Sequence, residues 1–226
     1  AALRRDADAA FQKNDFRTGM TVLGQLVTVA PNDAASWLRL ARSVRQIWPR
    51  DEREKALLLD RASTAAYIAY QRADDRNLEA DSLTLLGQTL ADRKLWRPAL
   101  DSLRFALDLR ESADLRGQYE RLRGEHGFRL LDYSVDSDAM SPRVCFQFSE
   151  DLPGKRTDFS PYVALAGQDK PAISATDKQL CVEGLKHGER YQITLRAGLP
   201  STVRETLAKS ADFTIFVRDR KPFVRF

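Results

Sequence analysis

The hydrophobic period of this chain changes within a single segment, residues 120–150. Before the segment, apolar residues recur three and four positions apart, which is the spacing of one face of an α-helix. After it, apolar and polar residues alternate as they do along a half-buried β-strand, and Pro or Gly interrupts the pattern repeatedly. The sequence therefore predicts an α+β chain of two domains, with a helical domain over residues 1–126 and a β domain over residues 127–226.

Composition limits the partners that we expect for this chain. The formal net charge is +4, from 36 Lys and Arg against 32 Asp and Glu, and both signs are interspersed along the sequence. Such mixing is typical of a solvated surface, and no nucleic-acid-binding motif accompanies it, so we do not expect nucleic acid as a partner. No apolar run approaches the ~18 residues of a membrane span, so we expect none within these residues.

The helical half contains a repeated spacing of small and apolar residues. Between residues 83 and 106 these residues are Leu86, Gly87, Leu90, Trp96, Ala99, Leu103 and Ala106. The spacing resembles the tetratricopeptide pattern, in which a Leu-Gly pair on one helix meets small residues on the next. Small side chains at positions 87, 99 and 106 would let two antiparallel helices approach closely, while Leu90 and Trp96 would fill the space beside them.

A second segment repeats these steps near the start of the chain. Ala7 and Gly19 are 12 residues apart, and Leu26 follows 7 residues later, the same steps as in the first match. Pro31 then ends the second helix. A middle hairpin is predicted from apolar residues at positions 37–44 and a long helix from about Asp51 to Arg72. With a short closing helix over residues 114–123, the prediction is three helical hairpins and a cap.

Stacks of such hairpins usually offer a concave groove lined by the first helix of each pair. By position, the residues expected to face this groove are Arg4, Asp8, Phe11, Leu38, Arg42, Arg45, Gln88 and Asp92. Arg42 and Arg45 lie three residues apart on one helix face, and together they are suited to an acidic peptide or a C-terminal carboxylate. Two alternatives stay open: the arginines are ordinary solvated side chains, or the β domain fills the groove.

The β half contains eight strand candidates separated by turns rich in Asp, Pro and Gly. They are Phe128–Val135, Arg143–Phe148, Tyr162–Ala166, Ala172–Ala175, Gln179–Glu183, Tyr191–Arg196, Phe213–Arg218 and Phe223–Phe226. Short strands at this spacing predict an antiparallel, Ig-like β-sandwich.

The two cysteines lie off the apolar faces of two of these strands. Val144, Phe146 and Phe148 form the apolar face of one strand, which leaves Cys145 on the other face; Cys181 is placed likewise between Leu180 and Val182. This placement favours a cross-strand Cys145–Cys181 disulfide, and thus an oxidising compartment. The alternative is a pair of reduced structural cysteines.

Several stretches of the β half together resemble the bacterial α2-macroglobulins. They are EHGF (125–128), DYSVDSD (132–138), SPRVCFQFSE (141–150), LCVEGL (180–185), HGERY (187–191), TLRAGLP (194–200) and VRDR (217–220). They are similar to the first macroglobulin-like sandwich domain near the N-terminus of that family. The helical half is similar, more loosely, to the tetratricopeptide-like extension that some members carry ahead of it.

The resemblance implies a non-catalytic part of a large periplasmic or secreted protein that traps proteases. Members are cut in a bait region and rearrange, and many bond the attacker through a Cys-x-Glu-Gln thioester; no such motif occurs in residues 1–226. We therefore expect a periplasmic N-terminal fragment with a structural and protein-interaction role, whose protease partners are met by the full-length protein. Any membrane anchor would come from a segment outside these residues. The alternative is a freestanding tetratricopeptide-type adaptor whose groove binds a partner peptide.

Motifs of catalysis and of metal or cofactor binding are missing from the sequence. There is no P-loop, dinucleotide turn, G-x-S-x-G or H-E-x-x-H. His126 and His187 each stand beside a Gly and are interpreted as capping or turn residues. The acidic run at Asp132, Asp136 and Asp138 lacks the glycine and terminal Glu of a calcium loop, which favours an Asx-type turn. We expect no enzyme activity, cofactor or metal.

Overall fold

The computed structural model describes residues 2–154, 156–168 and 170–220. The chain divides into two compact units, Ala1–Glu125 and His126–Phe226. The first is helical, and the second is built from antiparallel strands. The α+β order that the change of hydrophobic period predicts is confirmed.

The described residues of the helical part form seven α-helices. They are α1 (Ala2–Gln12), α2 (Phe16–Val29), α3 (Ala34–Arg45), α4 (Glu52–Arg72), α5 (Arg76–Asp92), α6 (Trp96–Leu109) and α7 (Ala113–His126). Helices α1 and α2, α3 and α4, and α5 and α6 pack as pairs, and α7 follows the third pair. The predicted three hairpins and closing helix are thus confirmed, and the closing helix is longer at both ends than expected.

Four of these helices begin directly after an aspartate. The side chains of Asp15, Asp33, Asp51 and Asp75 accept hydrogen bonds from backbone N–H groups in the first turns of α2, α3, α4 and α5. A capping carboxylate satisfies donors that have no partner inside the helix and complements the helix dipole. The starts of these four helices are therefore marked by aspartates that are visible in the sequence.

The first and third hairpins turn in the same way. Asn14 and Lys94 both adopt positive φ, 56° and 60°, in the loops that join α1 to α2 and α5 to α6. Asn14 lies seven residues after Ala7. Lys94 lies seven residues after Gly87, so the two loops are in step with the two sequence repeats. Matching backbone conformations at matching positions support the tetratricopeptide-like fold independently of side-chain spacing.

Small residues permit the close helix pairs that the spacing predicts. A Cβ added to Gly87 would lie 2.7 Å from Cγ and Cδ2 of Leu103, and one added to Gly19 would collide with the ring of Phe11. Ala99 is fully buried at the same crossing as Gly87. The two glycines are therefore required by packing, since neither has a positive φ.

The middle hairpin departs from the repeat through its long second helix. Helix α4 begins directly after Asp51, as predicted, and its buried stripe starts at Leu58, nearly two turns further on, and continues through Ala62, Ala66 and Ala69. The preceding loop is held by Glu54, which accepts hydrogen bonds from Arg17 Nη1 at 2.8 Å and from the backbone N–H of Arg50 at 2.6 Å. The extra turns of α4 and this loop form an ordered insertion.

The described residues of the second unit form seven strands in two antiparallel sheets. The strands are β1 (Leu130–Asp136), β2 (Arg143–Phe148), β3 (Val163–Leu165), β4 (Ala172–Thr176), β5 (Gln179–Glu183), β6 (Arg190–Leu195) and β7 (Ala211–Phe216). One sheet has the order β1-β2-β5-β4 and the other the order β3-β6-β7. Fully buried side chains from both sheets, including Phe146, Leu180, Ile193 and Leu195, share one core. This is the predicted β-sandwich.

Some strand boundaries differ from the predicted ones. Strand β1 begins at Leu130 rather than Phe128, because the backbone N–H of Phe128 bonds to the carboxylate of Glu205 instead of to a neighbouring strand. Tyr162 ends a short 3₁₀ helix, Ser160–Tyr162, so β3 begins one residue later. Strand β7 is displaced towards the N-terminus and ends at Phe216. The predicted strand Phe223–Phe226 lies outside the described residues.

The two cysteines face each other on adjacent strands. Cys145 of β2 is the register partner of Cys181 of β5, their Cα atoms are 4.0 Å apart, and their sulfur atoms form a disulfide. The neighbouring side chains Phe146 and Leu180 point into the core, so the disulfide lies on the outer face of the four-stranded sheet. The disulfide that the alternation favours is present.

Candidate protein-binding surface

The first helices of the hairpins, α1, α3 and α5, are joined to one another and to α7 by polar side chains. We call the surface that these side chains form the first-helix surface. It contains most of the residues that were expected to face a groove, and α3 lies at its centre because its arginines reach to both neighbouring helices.

Arg42 is held by a carboxylate on the next first helix. Its Nη2 lies 2.9 Å from Oδ2 of Asp81, and Arg110 bonds to the other carboxylate oxygen. Burial pushes the pKa of Asp81 upward, but the hydrogen bonds from Arg110 and Arg42 outweigh it and hold this pKa below its ordinary value of 3.8. Arg42 therefore already has an ionised carboxylate partner within the chain.

Arg45 and Gln88 belong to a second link across the surface. Arg45 donates to Oε1 of Gln88 at 2.8 Å and to Oδ2 of Asp92 at 2.7 Å. Gln88 in turn donates to the side-chain oxygen of Gln118 on α7 at 2.8 Å. The structure thus brings three of the expected groove residues together and adds Gln118, which the sequence did not indicate.

Arg4 and Phe11 lie on α1, at the opposite end of the surface. Arg4 bonds to Asp33, the residue that caps α3, at 2.6 Å. Arg39 is ion-paired with Asp8, and its guanidinium lies 5.0 Å from the centre of the Phe11 ring. The guanidinium of Arg39 thus covers part of the Phe11 ring in a cation–π contact.

Leu38 does not belong to this surface, contrary to expectation. Its side chain is 3% exposed and packs with Ala41, Ala65 and Leu83 in the core of the stack. Its position within the repeat correctly predicted that Leu38 lies on the first helix of the middle hairpin, α3. The apolar stripe of α3 extends far enough round the helix to include it.

Two depressions flank the arginines of α3. One of about 270 Å³ is bordered by Phe11, Phe16, Arg39, Arg42, Ser43 and Gln46. The other, of about 490 Å³, is bordered by residues that include Arg45, Gln88, Ala91, Leu103, Gln118 and Leu122. Each combines an apolar floor with polar side chains at its edge, which is the composition of a site for a side chain of a bound protein.

The internal ion pairs change what this surface can bind. An acidic side chain or a C-terminal carboxylate that approached Arg42 or Arg45 would meet the like charge of Asp81 or Asp92 beside it. The amides of Gln88 and Gln118, by contrast, can donate and accept hydrogen bonds without loss of a charge pair. The geometry therefore suits an uncharged peptide segment with apolar side chains better than it suits an acidic one.

The β unit places the remaining candidate residues in structural roles. His187 lies with Nε2 3.0 Å from the carbonyl oxygen of Ser137, next to the loop between β1 and β2. Asp138 in that loop is bonded to Arg218 at 2.9 Å, and Asp136 is paired with Arg143 at 3.7 Å. His126 is the last residue of α7. Among the described residues, no group of three or more His, Cys, Asp or Glu is arranged to hold a metal ion.

No helix in the described ranges is long and apolar enough to cross a membrane.

No protein-family model and no curated protein sequence matches this chain. Solved structures match parts of it. The N-terminal domain of stress-induced protein-1 from C. elegans is 13% identical over 54% of this chain and 92% of that chain, with a TM-score of 0.46. The Arabidopsis OM64 TPR domain is 14% identical over 55% of this chain and 93% of that chain, with a TM-score of 0.45.

A third solved structure contains an α2-macroglobulin. It is native alpha-2-macroglobulin from Escherichia coli spanning domains MG0-NIE-MG1, 23% identical over 41% of this chain and 32% of that chain, with a TM-score of 0.37. At such identities a likeness concerns the fold alone. The tetratricopeptide-like stack and the antiparallel sandwich are therefore assigned from the helices, loops and strands of this chain itself.

Proposed function

We propose that this chain is the non-catalytic N-terminal structural and protein-interaction region of a bacterial α2-macroglobulin-like protease-trapping inhibitor. The observation that carries the proposal is the disulfide between Cys145 and Cys181 on the outer face of a sandwich sheet. Both cysteines belong to stretches, SPRVCFQFSE and LCVEGL, through which the sequence resembles the first macroglobulin-like domain of that family.

The sandwich contributes architecture rather than chemistry in this proposal. The chain has two cysteines, both in the disulfide, and no Cys-x-Glu-Gln stretch, so residues 1–226 cannot form the internal thioester that bonds to an attacking protease. The helical stack supplies a docking surface for another protein or for another part of the same parent chain. Protease capture is then a property of the full-length protein, and residues 1–226 have no enzymatic activity.

We also propose a periplasmic location, which the same disulfide supports. Disulfides persist in oxidising compartments such as the periplasm and are rare in the cytosol. Thiol titration of native protein from periplasmic and cytoplasmic fractions measures this directly. We expect the protein in the periplasmic fraction, with no titratable thiol until a reductant is added. Recovery in the cytoplasmic fraction with two free thiols would contradict the location.

The proposed role is tested by native gel electrophoresis after protease treatment. The full-length parent should change mobility when a protease cuts it, because family members rearrange after cleavage. Residues 1–226 alone should show only proteolytic fragments and no slower or faster intact complex. An intact complex between residues 1–226 and a protease would overturn the architectural role.

A second candidate function, a freestanding adaptor, is favoured by the two depressions beside Arg42 and Arg45. A pull-down with wild type and with the double variant Gln88→Ala/Gln118→Ala, which removes the amides at the edge of the larger depression, tests it. Gln71→Ala, at an exposed position on α4, is the matched control. Loss of a bound protein in the double variant but not in the control supports the adaptor, whereas equal recovery from all three contradicts it.

A further inference from the structure

Strand β4, Ala172–Thr176, is the last strand of the four-stranded sheet in the described part of the chain. One of its sides pairs with β5, and no described strand lies beside the other. An unpaired strand edge presents a row of backbone donors and acceptors, which can be satisfied by a further strand.

The hairpin between β4 and β5 determines which backbone groups point to this edge. Thr176 pairs with Gln179 across a two-residue turn, in which Asp177 has a φ of 51°. In such hairpins the closing pair is hydrogen-bonded, and hydrogen-bonded pairs alternate with non-hydrogen-bonded ones along the strands. The pair of Ser174 with Cys181 is therefore hydrogen-bonded.

The disulfide gives an independent check of this alternation. The Cα atoms of Cys145 and Cys181 are 4.0 Å apart, which marks a non-hydrogen-bonded pair between β2 and β5. The backbone groups of Cys181 must then bond to Ser174 on the other side. It follows that the N–H and C=O groups of Ile173 and Ala175 point away from β5, and no backbone bond within the described residues takes them.

The five residues of β4 carry none of the features by which sheets usually block further pairing, although Pro171 precedes them and Lys170 and Lys178 flank them. The sequence of β4 is AISAT, with no charge, no proline and an uninterrupted register. The opposite edge of the same sheet is different, since β1 has an irregular register between Leu130 and Asp132 and ends with a second carboxylate, that of Asp136. Bulges and charges of this kind prevent edge pairing.

A cavity of about 390 Å³ runs alongside the free edge. It is bordered by Ile173, Ser174, Ala175 and Thr176 on the strand side and by Asp158 and Phe159 on the other. Phe159 is buried, and Ile173 and Ala175 are half-buried against the sandwich core. The space beside the edge thus has an apolar side towards the core.

We propose that β4 binds an extended segment of a separate protein as an additional strand of the four-stranded sheet. The backbone of the segment bonds to the outward groups of Ile173 and Ala175. Its inward side chains are apolar and enter the cavity, and its outward side chains are polar. This inference concerns a different surface from the helical one and does not depend on the proposed function.

Charge at the two ends of β4 selects the chemistry of the partner. Lys170 and Lys178 are exposed just before and just after the strand. In a pairing of β4 with β4 of a second copy centred on Ser174, each Lys170 would lie opposite a Lys178, and like charges directly opposite destabilise a strand pair. A strand with an acidic residue at each end would instead place opposite charges beside these lysines, which stabilises a strand pair. The partner is therefore an acid-flanked segment rather than a second copy.

The experiment uses the whole chain and the labelled nine-residue peptide EVTVTVTVE as probe, which in an antiparallel pairing centred on Ser174 places a Glu opposite each lysine and valines opposite Ile173 and Ala175. Fluorescence anisotropy should show saturable binding, which weakens at least about tenfold when alternate peptide amides are N-methylated. The charge-reversed peptide KVTVTVTVK should bind more weakly than EVTVTVTVE. In wild-type protein, hydrogen exchange of the Ile173 and Ala175 amides should slow on binding, while amides of β1 should not change.

Protein variants complete the test. Ala175→Pro removes an outward N–H and should abolish peptide binding, and Lys170→Gln/Lys178→Gln should weaken it severalfold without altering the backbone. Unchanged exchange at Ile173 and Ala175 under saturating peptide would overturn the proposal whether or not the proline variant folds. So would a chain that dimerises without peptide through these same amides, because a second copy would then be the occupant.

Discussion

The carboxylate of Glu205 accepts a hydrogen bond from the backbone N–H of Phe128 at 2.6 Å, with Glu205 only 3% exposed. The ring of Phe128 stacks on that of Phe148, with centroids 5.2 Å apart. The buried carboxylate of Glu205 thus fixes the backbone of Phe128, whose side chain belongs to the sandwich core. Both ends of this contact lie within the β unit, although 77 residues separate them in sequence.

Replacement of Glu205 by Ala should destabilise the sandwich by about 1–3 kcal/mol, because the buried N–H of Phe128 would lose its acceptor. Glu205→Gln keeps an oxygen at the same place and should cost less. Hydrogen–deuterium exchange of β2 and β5 in increasing denaturant measures the effect. Equal exchange in the alanine variant and wild type would show that this contact does not stabilise the sandwich.

Gly87→Ala should destabilise the helical stack by about 1–3 kcal/mol, since the new methyl group would lie 2.7 Å from Leu103. Gly24→Ala is the matched control: its Cβ meets nothing within 4 Å, and alanine should stabilise α2 by about 0.5–1 kcal/mol. All three tryptophans lie in the helical half, so tryptophan fluorescence during unfolding reports on both variants. A stabilising Gly87→Ala would contradict the close helix crossing.

Removal of the disulfide by Cys145→Ala/Cys181→Ala should destabilise the sandwich by about 3–4 kcal/mol, from the entropy of closing a loop with a sequence separation of 36. Thermal unfolding with and without reductant measures the contribution of the disulfide to stability in a second way. Reductant should lower the midpoint of wild type and leave the double variant unchanged. A wild-type midpoint that is insensitive to a reductant known to have cleaved the bond would contradict this prediction.

Acid should weaken the helical stack through Asp81. The folded-state pKa of this carboxyl is depressed below 3.8, so its contribution to stability is present above the unfolded-state pKa and is lost as pH falls through the folded one. Unfolding measured from pH 6 to about pH 2 should therefore show a slope that Asp81→Asn reduces. The exposed Asp74→Asn serves as control, and an equal reduction by both variants would contradict a special role for the Arg42–Asp81–Arg110 cluster.

The helical fold could be predicted because its determinants are local or repeated. Small residues are required where two helices cross, as at Gly19 and Gly87. In the sequence, this requirement appears as equal intervals between small and apolar residues in the two repeats. The strand pattern and the disulfide followed from alternation, since Cys145 and Cys181 both fall on the face opposite the core. These features depend on residue type and spacing alone.

The polar contacts could not be predicted, because they join residues distant in sequence. Arg42 and Arg45 were placed on the correct helix, but their partners Asp81 and Asp92 lie on α5, 39 and 47 residues away. A regular stripe of Asp81, Gln88 and Asp92 along one face of α5 was the available signal. The burial of Glu205 had no signal, since acidic residues in loops are usually exposed.

The most direct test of the proposed architectural role is a titration of protease activity. A protease is mixed with increasing molar ratios of the full-length parent protein or of residues 1–226, and its residual activity is measured. The full-length protein should abolish activity at a stoichiometric ratio, while residues 1–226 should leave activity unchanged at large excess. Stoichiometric inhibition by residues 1–226 alone, or no inhibition by the full-length protein, would contradict the proposed function.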